Sequence, residues 1–165
     1  LFDYFLPTPF NNKSAMDLLS IKNPVFCNYM YWTGVLAVKM LLMSLLTGVN
    51  RFRYKSFPNE ECAKMNKVEV QFNDPHVERV RRAHRNDLEN ILPYFTVSLI
   101  YLCMDPNPKI ATILFRIAAI SRIIHTLVYA FYPVPQPARA IFFLITFLIT
   151  FYMAFYVICC NISYI

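Results

Sequence analysis

Charged and hydrogen-bonding side chains embedded in strongly apolar sequence are the first place to look for chemistry, and this chain carries two such groups. Between Arg79 and Glu89 it reads Arg-Val-Arg-Arg-Ala-His-Arg-Asn-Asp-Leu-Glu. At about 100° per helical residue, Arg82, Arg85, Asn86 and Glu89 share one side of a helix. Farther on, Arg122, His125, Thr126 and Tyr129 repeat the i, i+3, i+4, i+7 spacing and make a second polar stripe. A charge at mid-bilayer costs about 2.5 to 3.5 kcal/mol, so such residues are kept for a purpose. Two stripes facing each other would enclose a pocket rich in cations with a carboxylate. That chemistry suits an anion that also bears an amine, such as a free amino acid or a small peptide. A packing alternative stays open beside it, in which Glu89 and Arg122 neutralise each other, His125 is a hydrogen-bonded core histidine, and Arg79, Arg81, Arg82 and Arg85 anchor the membrane surface.

The elements that must position these residues are membrane spans. Hydrophobic residues make up 57% of the 165 and charged residues 16%, against roughly 45–50% and about 25% in soluble domains. Apolar segments of spanning length fall at about 24–49, 86–104, 110–132 and 140–160, with 1–23 as an N-terminal extension and 51–85 as a basic loop. Asp74-Pro75 reads as an N-cap and first turn, so a helix is predicted over 75–104, kinked at Pro93 and about 45 Å long. That exceeds the roughly 30 Å of hydrocarbon, and its first turns should project beyond it. Lys39, the only charge of the first span, is expected to snorkel. Nine Lys and Arg lie between 51 and 85 and Arg139 in the 133–139 link, against Lys13, Lys22 and Lys109 on the other side. The basic side is predicted to be cytosolic and both termini lumenal, which puts the sequons at Asn12 and Asn161 in the glycosylating compartment. No cleavable signal peptide is expected within residues 1–23. With only two glycines, phosphate-cradling Gly-rich loops are excluded. The net charge of +6 is explained by orientation rather than by a nucleic-acid partner. Five cysteines without a CxxC give neither a disulfide framework nor an expected metal site.

The run Val77-Glu-Arg-Val-Arg-Arg-Ala-His-Arg-Asn-Asp-Leu-Glu-Asn-Ile-Leu-Pro-Tyr-Phe95 closely resembles the signature of the membrane-associated proteins in eicosanoid and glutathione metabolism, the MAPEG family. Arg51, Arg122-Ile-Ile-His-Thr-Leu-Val-Tyr129 and Pro133-Val-Pro-Gln-Pro-Ala-Arg139 match it in order, so the similarity covers roughly residues 24–160 and is greatest to the glutathione transferase branch. The resemblance implies an all-α integral membrane protein, a four-transmembrane-helix bundle assembled as a homotrimer, with glutathione bound between neighbouring protomers near the cytosolic face. By this similarity Arg51, Arg81, Arg82, His84, Asn86, Glu89 and Tyr129 match the family's glutathione contacts, and Arg85, His125 and Arg139 match binding positions of its prostaglandin E synthase branch.

Arginines suit the two carboxylates of glutathione and a glutamate its ammonium. A thiol with a reference pKa near 8.5 must become thiolate to attack, so Arg139, aided by Tyr129, is the expected thiolate stabiliser. The implied activity is conjugation of glutathione to hydrophobic electrophiles, with peroxidase activity on lipid hydroperoxides, no metal and no nucleic acid. The implied partners are membrane lipids and further copies of the chain, and the implied location is the endoplasmic reticulum membrane, with the outer mitochondrial membrane as a second site. A glutathione-dependent isomerase of endoperoxide lipids and a non-catalytic scaffold for lipid or a partner protein are the alternatives. Ala140 stands where the synthase branch has serine and Cys62 where it has aspartate, and both departures favour the transferase. Cys62 matches a loop cysteine whose modification raises transferase activity. The stretch from Tyr129 to Arg139 is one residue longer than in the family pattern.

Overall fold

A computed structural model of the chain describes residues 14–162. Most of the expected N-terminal extension, with Asn12 and Lys13 of the first sequon, and Ser163 of the second lie outside the described residues. The elements are α1 (Ala15–Leu18), α2 (Pro24–Tyr54), α3 (Glu60–Met65), α4 (Pro75–Cys103), α5 (Pro108–Thr126) continued by a π-helical turn (Leu127–Phe131), and α6 (Ala138–Asn161). Each of α2, α4 and α5 opens with a capping residue followed by proline. Asn23 accepts from the Val25 amide at 3.0 Å, Asp74 from those of His76 and Val77 at 2.9 and 3.1 Å, and Asn107 from that of Lys109 at 3.0 Å. The caps satisfy amides that have no partner inside the helix, and proline at the first position removes one more.

The first span was expected to end at 49, but α2 continues to Tyr54 and stops where Lys55 turns left-handed, φ 52°. Arg51 therefore projects from a helix. The basic segment 51–85 is helical at both ends, and the stretch between them is folded back. Phe57 is buried against the Phe52 ring, centroids 5.2 Å apart, and its carbonyl accepts from the Gln71 amide at 3.0 Å.

Among the described residues, three helices are long and apolar enough to cross a membrane: α2, α5 with its π turn, and α6. With its 29 residues, α4 has the length, but its N-terminal half is charged. Both α2 and α6 pack against α4 and α5, so they flank a central pair. In a bilayer, apolar burial gives helices little drive to associate, and close packing and hydrogen bonds do more of the work. Accordingly the Tyr29 hydroxyl donates to the Phe95 carbonyl at 3.2 Å, and Ser121 and Thr146 share a hydroxyl contact at 2.6 Å between α5 and α6.

The strongest tie crosses the centre of the bundle. Asp87 on α4 is bound by Arg122 of α5 at 2.5 Å and by Lys39 of α2, and the Asp87 and Arg122 side chains have no exposed surface. This corrects two expectations. Lys39 does not snorkel, because its stem lies among helices and a carboxylate meets its ammonium inside the bundle. Nor does Arg122 neutralise Glu89, whose side chain is 61% exposed and sits 3.7 Å from Arg85. Asp87 belongs to the inward row of α4, with Val80, Ala83, Ile91 and Tyr94, whereas Glu89 is turned off that row.

Candidate functional site

The ten residues singled out as binding positions divide between two sides of α4. One cavity, of about 440 Å³, is lined by Asn86, His125, Tyr129 and Arg139 together with Gln136, Ala140 and Phe143. Tyr129 lies in the π turn, and Arg139 in the first turn of α6 after the Pro-rich link 133–137. The Arg139 guanidinium sits over the Tyr129 ring, 4.6 Å from its centroid, and the His125 ring meets that ring edge-on at 5.6 Å. Arg139 Nε and His125 Nδ1 are buried without a hydrogen-bond partner among the described residues. Buried polar atoms left unpaired are costly, so a cation held by an aromatic face beside such atoms is suited to receive an anionic ligand atom.

A second cavity, of about 410 Å³, lies between α2 and α4 and gathers Arg51, Arg81, Arg82, His84 and Arg85, with Ser44, Thr47 and Glu78 on its wall. Arg81 pairs with Glu78, while Arg51 Nε is buried without a hydrogen-bond partner among the described residues. Glu89 lines neither cavity. It borders a third, of about 600 Å³, walled mainly by Pro93, Val97, Phe143, Phe147 and Phe151 and joined to the first at Asn86 and Phe143. Thus the two polar stripes meet at Asn86, His125 and Tyr129, while Arg82 and Arg85 turn toward α2 and Glu89 toward a mostly apolar cleft. Within one chain the predicted residues form one cluster of arginines, in the second cavity, and a separate site around the single cation Arg139.

Cys62 is a free, half-buried thiol on α3, outside all three cavities. Three residues that the sequence reading did not single out matter to the geometry. Gln136 and Phe143 complete the wall of the Arg139 cavity, and Asp87 holds Arg122, which in turn donates to Asn86 Oδ1 at 2.9 Å. Helical periodicity places Asp87 on the apolar row of α4, and a carboxylate there requires a buried cation.

Known proteins give a consistent picture. Residues 29–159 match the model of the MAPEG family. The human protein named microsomal glutathione S-transferase 1 is 39% identical over 136 residues, 79% of this chain and 87% of that protein. Its bovine namesake is 41% identical over 130 residues, covering 76% and 83%. A rat protein named prostaglandin E synthase is 34% identical over 117 residues, covering 70% and 76%. With its apolar helices, its buried inter-helix charge cluster and this similarity along most of its length, the chain is a membrane protein that belongs to the MAPEG family.

Proposed function

We propose that this protein is a glutathione transferase acting on hydrophobic electrophiles at a membrane. The observation that carries the reading is the Arg139 cavity, where a guanidinium stacked on Tyr129 stands beside Asn86 and the unpartnered nitrogens of Arg139 and His125. In that setting Arg139 stabilises the glutathione sulfur as thiolate, which bonds to the electrophilic carbon as the leaving group departs with its electron pair. The Tyr129 ring holds the guanidinium in place, and its hydroxyl is a further donor within the cavity. The adjoining apolar cleft past Phe143 would admit the electrophile from the lipid side. With a lipid hydroperoxide as oxidant, two glutathione molecules give the alcohol, water and glutathione disulfide.

The separation of the Arg51 cluster from the Arg139 cavity within one protomer favours the homotrimer. Placing the Arg51 cluster of one copy against the Arg139 cavity of the next is a head-to-tail contact that can close into a ring, uniting the binding residues Arg51, Arg81, Arg82, His84, Arg85, Asn86, Glu89, His125, Tyr129 and Arg139 between copies. In this reading α4 is the fourth span, the termini are lumenal, and the protein resides in the endoplasmic reticulum membrane and the outer mitochondrial membrane. Ala140, which lines the Arg139 cavity without a hydroxyl, favours transfer over isomerisation. The test is turnover of a chromogenic electrophile by the detergent-solubilised protein, with and without glutathione, alongside product analysis on an endoperoxide lipid. Glutathione-dependent conjugation is expected. Absence of both turnover and glutathione binding would refute the proposal and favour a scaffold, and isomerised lipid without conjugate would favour the synthase activity.

A further inference from the structure

We propose that the buried Lys39–Asp87–Arg122 cluster is a positioning device that locks the Asn86 amide with its Nδ2 donors facing the Arg139 cavity, where they serve an acceptor oxygen of the bound peptide. The inference rests on the glutathione reading above. A guanidinium has donors only, so the amide atom that meets Arg122 at 2.9 Å must be Oδ1. That removes a choice an unrestrained asparagine would have, between presenting an acceptor and presenting a donor. Because Asn86 also lines the cavity, its other terminal atom, Nδ2, is the one left for a ligand.

The neighbouring residues explain why Arg122 stays in place. The same nitrogen that binds Asn86 also donates to Asp87 Oδ1, while Asp87 Oδ2 accepts from Lys39 and, at 3.3 Å, from the Thr126 hydroxyl. The Arg122 side chain has no exposed surface, so it cannot turn to water. One cation would be enough to neutralise Asp87, yet two are present, and the bond from Arg122 to Asn86 adds nothing to that neutralisation. The surplus positive charge lies directly behind the amide oxygen and favours the orientation that presents Nδ2 to an anionic oxygen.

The test is a double-mutant cycle between Arg122→Lys and Asn86→Ala, read by calorimetry with glutathione and by steady-state kinetics on the full-length solubilised protein. Lysine keeps the charge that holds Asp87 but lacks the guanidinium Nη2, which here donates to the carboxylate and the amide together. In the wild-type background Arg122→Lys should raise the dissociation constant about tenfold, the loss expected for one hydrogen bond to a charged group. KM should rise with it and kcat stay within about twofold, as for an interaction equal in ground and transition states. In the Asn86→Ala background the same change should cost less than about twofold, because its effect runs through the amide. An equal loss in both backgrounds would mean a purely structural role and would overturn the inference. Should Arg122→Lys fail to fold, Asn86→Asp decides, since it leaves the cluster intact and puts an oxygen where Nδ2 stands. It should bind glutathione more weakly than Asn86→Ala, and binding as tight as or tighter than Asn86→Ala overturns the inference. Wild-type protein that does not bind glutathione would remove the underlying reading itself, whereas tight wild-type binding with additive losses sinks only the positioning role.

Discussion

Replacing Asp87 with asparagine keeps the size of the side chain and removes its charge, so the change isolates what the carboxylate does for the bundle. Lys39 and Arg122 would then face each other across an amide, with side chains 12% and 0% exposed. Removing one partner of a buried ion pair costs about 3 to 5 kcal/mol, because the remaining charge is left uncompensated. At roughly 2 to 4 °C per kcal/mol for a chain of this size, the thermal midpoint should fall by about 6 to 20 °C. The chain's single tryptophan, Trp32 on α2, provides the fluorescence signal in detergent. Two controls sharpen the comparison. Glu60→Gln breaks the exposed Lys64–Glu60 pair, whose side chains are 79% and 76% exposed, and should leave the midpoint unchanged. Adding Lys39→Met to Asp87→Asn removes one of the opposed cations and should recover more than half of the loss. An Asp87→Asn protein that melts with the wild type would show that the cluster is not what joins α2, α4 and α5.

Other perturbations address the chemistry. Arg139→Ala should raise the pKa of the bound glutathione thiol by about one unit, since a cation favours the thiolate and each unit is worth about 1.36 kcal/mol. The thiolate absorbance of the bound peptide should then appear at higher pH, and conjugation near neutral pH should slow about tenfold; an unchanged absorbance titration would dismiss the assignment. Tyr129→Phe, which keeps the ring beneath Arg139, should retain more thiolate than Tyr129→Leu, measured in the same titration. Alkylation should raise the activity of the wild type and leave Cys62→Ser unaffected, as followed by conjugate formation before and after treatment.

Much of the architecture is legible in residue order because it is local. Proline after Asn23, Asp74 and Asn107 marks three helix starts, and the apolar runs that follow mark their course. Pairing is less legible, because it depends on the rotation of helices that are far apart in sequence. Glu89 and Arg122 look complementary as letters, yet Glu89 lies about 200° of helix rotation from Asp87 and cannot share its neighbours. Asp87 could have been found by following the apolar row through Val80, Ala83, Ile91 and Tyr94 and asking which residue breaks it. Lys39, the only charge of its span, was the corresponding clue on α2. The division of the cation-rich residues between two cavities was beyond one-dimensional reading, since Arg82 and Asn86 stand one turn apart and yet line different walls.

The π turn at Leu127–Phe131 has a consequence for how such a protein tolerates change in length. There the Tyr132 amide reaches back to the Leu127 carbonyl at 2.8 Å, a wider winding that takes up one more residue than an ordinary helical turn would. Wound this way, the turn carries Tyr129, whose ring lies beneath the Arg139 guanidinium across the link 133–137. Single-residue insertions or deletions at this bend can be accommodated by rewinding rather than by parting the two side chains. The bend thus acts as an adjustable joint between the coil that carries Tyr129 and the helix that carries Arg139.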